Sequence, residues 1–275
     1  MINLLRGEVY KLRKSKCLYI CCIALVAVVM LFYGMLMLAD KIQQGELANG
    51  TYGVVVEETS QETMPDFWSG QSILEIIQMM FGSFGSIIIT VFVAIFAYGE
   101  YANGAIKNVV GKGHNRGKIF GVKYISTIIS AILMMVLMTV ATLFLGILFI
   151  GPEKVSYEVC KNLCYYAGIQ LLLGAAFAGI VTVISQLCRN LGAGISISIC
   201  MLTFSSLITA GLDAVLYYFK LEVKVSDYWI VDLISNCPST DIDSSFAIRA
   251  TVSAIIWIVA ALGIGTLHFQ KADVK

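Results

Sequence analysis

Residues 124–150 read YISTIISAILMMVLMTVATLFLGILFI, a run in which no side chain carries a charge. A helix needs about 20 mostly apolar residues to cross the hydrocarbon core of a bilayer, and this run is longer than that. Because backbone polar groups have no water to bind in lipid, a spanning segment is either a helix or part of a closed barrel. The alternating segments of about 10 residues that mark a barrel are absent from the sequence. The run therefore predicts a membrane-spanning helix.

The rest of the chain repeats this pattern. The 275 residues are 58% hydrophobic and 13% charged, whereas soluble domains are roughly 45–50% apolar and about 25% charged. A charge at the centre of a span costs roughly 2.5–3.5 kcal/mol, so charge-free windows locate the spans. The sequence predicts an all-α integral membrane protein with six transmembrane helices in a single domain covering 1–275. The predicted spans are 17–39, 76–99, 124–150, 164–187, 190–212 and 250–270.

The distribution of lysine and arginine predicts the orientation. An even number of spans places both termini on one side, together with residues 1–16, the loop 100–123 and the junction at Arg189. Most of the 19 basic residues lie on that side. Most of the 18 acidic residues lie on the other side, in the outer segments 40–75, 153–161 and 213–249. By the positive-inside rule the basic side is cytoplasmic. We therefore predict a multi-pass plasma-membrane protein with both termini in the cytoplasm.

The segment before the first span has the pattern of an amphipathic helix. Ile2, Leu5, Val9 and Leu12 recur at helical spacing and share one face. This pattern predicts a short helix within residues 1–16, lying in the inner membrane interface. A solvated basic flank that only sets the orientation is the alternative interpretation.

The loop at 100–123 reads EYANGAIKNVVGKGHNRGKIFGVK and is rich in glycine and basic residues. Residues 105–110 can form a short helix that ends at Gly111, and such a helix could dock a partner protein. An ordinary basic inner loop explains the same composition, and the residues alone do not decide between the two. The loop has no Gly-x-x-x-x-Gly-Lys-Ser/Thr motif. No common ATP site is therefore expected on this chain.

Catalytic and metal chemistry are not indicated by the sequence. It has no Gly-x-Ser-x-Gly and no His-Glu-x-x-His motif. We predict no catalytic, cofactor-binding or metal-ligating residue and no nucleic-acid partner; the spans contact lipid. The eight cysteines include no Cys-x-x-Cys pair. Cys160, Cys164 and Cys237 lie in or near outer segments, where a disulfide stays an open alternative.

Two stretches resemble the permease subunits of bacterial type-2 ABC exporters. Residues 5–16, LRGEVYKLRKSK, are similar to the Glu-x-x-Lys-Leu-basic stretch that precedes the first span in that family. The loop 100–123 is similar to the family's inner loop. It shares an acidic-aromatic-x-x-Gly motif, a basic residue, Gly-x-x-Arg and a lysine that enters the third span. The matching positions are Glu100, Tyr101, Gly104, Lys107, Gly113, Arg116 and Lys123.

The resemblance implies roles for these residues. Residues 1–16 would form an elbow helix, with Leu5, Glu8, Lys11 and Leu12 on it, and 105–110 would lie in a coupling helix. The implied ATPase-coupling residues are Glu100, Gly104, Ile106, Lys107, Arg116 and Lys123.

The resemblance also implies partners and a cargo. A separate cytoplasmic ABC ATPase subunit would carry ATP and Mg, and a second permease copy or a related permease would complete the complex. The size and the lack of a fused ATPase are similar to the lantibiotic/bacitracin-protection and multidrug subgroup. That similarity implies export of an amphipathic peptide or antibiotic-like substrate. The alternative function is a membrane sensor or scaffold that recruits a cytoplasmic signalling partner without transport.

Overall fold

The computed structural model describes residues 2–43, 70–82, 84–102, 116–150, 157–188, 190–220, 224–238 and 242–271. The secondary structure within these residues is helical. The helices are α1 (Ile2–Lys14), α2 (Lys16–Gln43), α3 (Gly70–Gly82), α4 (Phe84–Ala102), α5 (Arg116–Ile150), α6 (Tyr157–Leu187), α7 (Leu191–Tyr218), α8 (Ile230–Ser235) and α9 (Ser244–Lys271). The predicted coupling helix at 105–110 lies outside the described residues.

Five of these helices, α2, α5, α6, α7 and α9, are long and apolar enough to cross a membrane. The helices α3 and α4 are separated by a break with a bend of 42°. If the two together form one broken span, the count rises to six. The single window predicted at 76–99 is thus covered by two helices. The glycines on either side of the break, Gly82 and Gly85, favour an interruption because glycine is a poor helix former.

The helices extend beyond the charge-free windows that predicted the spans. The helix α5 begins at Arg116 rather than at 124, so Lys118 and Lys123 lie on its first turns. The helix α7 continues past 212 to Tyr218 and includes Asp213. Hydropathy marks the part of a helix that suits hydrocarbon, whereas backbone hydrogen bonds continue into the polar interface. The windows therefore understate the helix lengths.

The helix α6 is the centre of the bundle. Its spanning window is 67% buried, against 22% for α2 and 17% for α7. Glycines let α5 approach it closely: a Cβ on Gly174 would overlap the side chain of Met135, and one on Gly179 would overlap the Tyr124 hydroxyl. Small residues at helix contacts allow this close packing. The packing fixes the position of α5, which carries two of the predicted coupling residues, Arg116 and Lys123.

The two ends of the bundle differ in what covers them. At one end α1 lies against the first turns of α5. At the other end the short helix α8 contacts α3, α6, α7 and α9. Its residues Ile230–Ile234 are all buried, although they belong to the predicted outer segment 213–249. The fold thus buries part of a connection that hydropathy places outside the spans.

Candidate functional site

Two charged residues from separate predicted motifs meet at the α1 end. Lys123 Nζ on α5 lies 3.3 Å from Glu8 Oε2 on α1. The two side chains are only 7% and 10% exposed, and the residues are 115 positions apart in the sequence. A buried charge is strongly destabilising when its partner is removed. The pair therefore holds α1 in a defined position on α5.

Two further side chains complete this group. Lys11 Nζ donates a hydrogen bond of 2.9 Å to the other carboxylate oxygen of Glu8. The Nζ of Lys123 lies 4.3 Å from the ring centroid of Phe96 on α4, a cation–π distance. Both oxygens of Glu8 thus have a cationic partner. We call Glu8, Lys11, Phe96 and Lys123 the α1 junction.

The sequence of α1 explains why Glu8 faces the bundle. Glu8 and Leu12 are four residues apart, so they share one helix face, and both are buried. Leu5, one turn before, is partly buried, while Arg6 and Arg13 are exposed. The helix continues almost directly into α2 after Ser15, and the Tyr19 hydroxyl donates to the Arg13 carbonyl at 3.0 Å. A helix is present at the predicted place, but its buried face carries Glu8 and Leu12, whereas Val9, which the sequence placed on the apolar face, is exposed.

Contacts run from the α1 junction into the spanning helices. One residue after Lys123, the Tyr124 hydroxyl donates to the carbonyl of Ile258 on α9 at 2.9 Å. The Thr182 hydroxyl on α6 lies 3.0 Å from that of Thr127 on α5. The ring of Phe120 packs on that of Phe269 of α9, with centroids 6.1 Å apart. A displacement of the first turns of α5 would therefore move α6 and α9 with it.

The structure describes only some of the predicted coupling residues. Lys123 lies in the α1 junction, and Arg116 is the first residue of α5, about two turns earlier. Glu100 is in the last turn of α4, but its side chain lies outside the described residues. Gly104, Ile106 and Lys107 lie outside them altogether. Sequence reasoning missed Phe96, which reads as one more apolar residue of the window at 76–99.

A second polar group lies at the α8 end, and sequence reasoning missed it too. Asp232 is 3% exposed. Its Oδ1 accepts a hydrogen bond of 2.7 Å from the Ser206 hydroxyl on α7. On α6, Gln170 Nε2 donates to the Tyr166 hydroxyl at 3.0 Å and to the Ile234 carbonyl at 2.9 Å. The sequence does contain a signal for this polar group, a single acid, Asp232, inside the apolar run WIVDLI at 229–234.

A small apolar cleft lies between the helices on the bundle side of α8. Its walls come from α4, α5, α6 and α7, and Ile234 of α8 contributes to them. The lining is mostly hydrophobic and includes Val93, Phe177 and Leu202.

The cysteines are free thiols. All eight fall in the described residues and none forms a disulfide. Cys160 and Cys164 are exposed, whereas Cys237 is buried, and burial raises the pKa of its thiol to about 12. The thiolate is the reactive form in disulfide exchange, so Cys237 is a poor partner for the other two. Within the described ranges, no group of three or more His, Cys, Asp or Glu side chains could hold a metal ion.

Comparison with known protein families identifies a family for most of the chain. The family model described as "ABC-2 family transporter protein" matches residues 4–206, which include most of α1 and the whole α1 junction. No curated protein matches the chain significantly. ABC-2 membrane proteins are transport components, with the ATPase on a separate subunit. The chain therefore belongs to the ABC-2 transporter family, as a multi-pass permease subunit that works with an ABC ATPase.

Proposed function

We propose that the chain is the membrane subunit of an ATP-driven exporter in the bacterial plasma membrane, with both termini cytoplasmic. Its cargo is an amphipathic peptide or antibiotic-like molecule, as the resemblance to the lantibiotic/bacitracin-protection and multidrug subgroup suggests. The chain itself holds no cofactor, and ATP and Mg bind the partner ATPase. A second copy of the permease, or a related one, completes the complex. The family membership favours this function over a sensor or scaffold.

The observation that carries the proposal is the buried ion pair between Glu8 and Lys123. It joins α1, which would be the elbow helix, to the helix that follows the loop at 100–123. ATP-driven closure of the ATPase would push on that loop and on α1 together. Just beyond Lys123, α5 is hydrogen-bonded to α9 and α6. The push would therefore reach α5, α6 and α9. The α1 junction would act as the brace that keeps α1 and α5 moving as one body.

The remaining coupling residues receive roles from the loop sequence. Gly104 would permit the turn at the start of the coupling helix, since glycine adopts conformations that other residues avoid. Ile106 would pack on the ATPase, and Glu100, Lys107 and Arg116 would pair with charged groups of the ATPase or with lipid headgroups. These assignments place the ATPase contact at 100–116 and the brace at Glu8 and Lys123.

Co-purification with the ATPase tests the proposed function. The tagged permease and its cognate ABC ATPase are co-expressed, captured through the permease and reconstituted in nanodiscs. We expect the ATPase to be retained and its ATP turnover to differ from that of the ATPase alone. A permease that neither retains the ATPase nor changes its turnover would disprove the transport assignment.

Substitutions that change the charge of the loop locate the contact. Lys107→Glu and Ile106→Asp should reduce retention of the ATPase, because both alter the surface that would dock it. Lys161→Glu is the matched control: Lys161 is an exposed lysine on α6 at the opposite end of the bundle. Equal loss of the ATPase in Lys107→Glu and Lys161→Glu would place the contact elsewhere or reverse the orientation.

A further inference from the structure

We propose that the outward side of α1 binds the phosphate headgroups of anionic phospholipids, so that charge, and not an inserted apolar face, holds α1 on the membrane surface. We call Arg6, Tyr10, Arg13 and Lys14 the basic face of α1. The inference goes beyond the proposed function and does not depend on it, because it concerns a lipid contact of the permease alone.

The two sides of α1 have opposite character. The members of the basic face follow one another at spacings that keep them on one side of the helix, and all four side chains are exposed. The other side carries Glu8 and Leu12, both of which are buried. An amphipathic helix that inserts into a membrane turns its apolar face to lipid. In α1 the apolar side is already covered by the bundle, so the side left for the membrane is cationic.

The charge of the basic face has no counter-charge within the described residues. The only acid of α1 is Glu8, and its two oxygens are occupied by Lys11 and Lys123. The three cations of the basic face form no ion pair with an acid of the described residues. Instead, Lys14 Nζ lies 4.9 Å from the ring centroid of Tyr10. Three like charges on one side of a short helix repel one another, so an anionic partner would stabilise α1.

The position of α1 places this charge at the level of lipid headgroups. The Tyr19 hydroxyl, in the first turn of α2, donates to the Arg13 carbonyl at 3.0 Å. The charge-free stretch of α2 begins at Cys17, so the end of α1 lies beside the point where α2 enters hydrocarbon. Tyr10 and Tyr19 are 58% and 55% exposed, and tyrosine is enriched at membrane–water interfaces. Arg13 and Lys14 therefore lie within reach of the phosphates of the adjoining leaflet.

The side chains of the basic face suit a phosphate. A guanidinium group can donate two parallel hydrogen bonds to phosphate oxygens, and a lysine ammonium binds them as a point charge. Each basic residue beside a spanning helix strengthens attachment to an anionic membrane by about fivefold in affinity. An acidic surface of the ATPase is the competing partner, and the experiments below distinguish it from lipid.

Lipid-dependent thermal unfolding of the purified full-length permease tests the contact. The protein in neutral detergent micelles is titrated with dioleoyl-phosphatidylglycerol or with dioleoyl-phosphatidylcholine, which has the same acyl chains and no net charge. A ligand that binds the folded state raises its apparent stability. We expect phosphatidylglycerol to raise the unfolding midpoint at a concentration about tenfold below that needed for phosphatidylcholine. Equal responses of the wild type to the two lipids would overturn the inference.

Two further conditions identify the interaction as electrostatic and the ligand as a lipid. The preference should shrink when salt is raised from about 0.1 M to about 1 M, because the screening length then falls to about 3 Å. Free glycerol 3-phosphate should not raise the midpoint in place of phosphatidylglycerol. A preference that is insensitive to salt, or an equal response to glycerol 3-phosphate, would contradict binding of a lipid headgroup by charge.

Variants assign the preference to the basic face. Arg13→Gln with Lys14→Gln removes two of its three charges, so most of the tenfold preference should disappear. Lys161→Gln with Lys220→Gln is the matched control, since it removes two exposed lysines at the α8 end and should leave the preference unchanged. Arg13→Lys with Lys14→Arg keeps both charges and should keep most of the preference. A preference that survives Arg13→Gln with Lys14→Gln, or is lost equally in the control, would contradict the assignment.

Co-purification separates lipid from the ATPase as the partner of this face. The Arg13→Gln and Lys14→Gln double variant should retain the ATPase as well as the wild type does. If it loses the ATPase and keeps the lipid preference, the basic face docks the ATPase and the inference falls. If the wild type itself retains no ATPase while the double variant loses the lipid preference, the lipid site stands and the transport function is contradicted.

Discussion

The α1 end and the α8 end of the bundle each bury one carboxylate, and they treat it differently. Glu8 has a cationic partner on both oxygens, Lys11 at 2.9 Å and Lys123 at 3.3 Å. Asp232 has one hydroxyl partner, Ser206, and its second oxygen has none among the described residues. Burying a charge costs several kcal/mol unless it is paired. The α1 end compensates that cost within the chain, and the α8 end does not.

This difference separates two kinds of polar group inside an apolar bundle. A fully paired group fixes the position of one helix on another, which suits a part that transmits force. An incompletely paired group weakens the fold, and an ionisable residue buried among spanning helices is usually functional. The comparison predicts that removing charge has opposite effects on stability at the two ends.

The largest effect is expected from Lys123→Met. The substitution leaves Glu8 buried with only the half-exposed Lys11 as a partner. We expect the free energy of unfolding to fall by on the order of 3 kcal/mol. Titration of the nanodisc-embedded or micellar permease with SDS, followed by circular dichroism, measures it.

The double variant Glu8→Leu with Lys123→Met provides the control for that prediction. It removes both charges together, and replacing a buried pair by apolar side chains is often neutral. Most of the lost stability should therefore return. A double variant as unstable as Lys123→Met alone would mean that the lysine contributes through something other than Glu8.

A smaller effect of opposite sign is expected from Asp232→Leu. The leucine removes an unpaired buried oxygen, and such an atom costs roughly 1–3 kcal/mol. The Ser206 hydroxyl can turn to a carbonyl of its own helix. The free energy of unfolding should therefore rise by about 1 kcal/mol in the same SDS titration. A clear loss of stability would show that Asp232 stabilises the fold through a partner other than Ser206.

The smallest effect is expected from Lys11→Gln. The side chain of Lys11 is 50% exposed, and solvent screening limits exposed ion pairs to about 0–1 kcal/mol. We expect a change below about 0.5 kcal/mol. A loss as large as that of Lys123→Met would show that the paired state of Glu8 depends on Lys11 as much as on Lys123.

The sequence predicts the membrane class and several details of the α1 end, for identifiable physical reasons. Because charge in lipid is costly, a spanning helix appears in the sequence as a charge-free window. Such windows predict α2, α5, α6, α7 and α9. The contact between Glu8 and Lys123 was not, because no local periodicity joins residues so far apart in the chain. The burial of α8 was hidden for another reason: six residues are too few for a helical pattern to emerge. The bend between α3 and α4 lies within one apolar window and leaves hydropathy unchanged.

A charge swap at the α1 junction addresses the proposed brace itself. ATP turnover of the reconstituted permease–ATPase complex is compared for the wild type, Glu8→Lys, Lys123→Glu and the double variant carrying both. Each single variant puts like charges together, so the permease-dependent change in turnover should fall by roughly tenfold, equivalent to about 1.4 kcal/mol, while the ATPase still co-purifies. The double variant restores an opposite-charge pair and should recover most of the response. Single variants that couple like the wild type, or a double variant as impaired as either single one, would contradict a role for the Glu8–Lys123 pair in coupling.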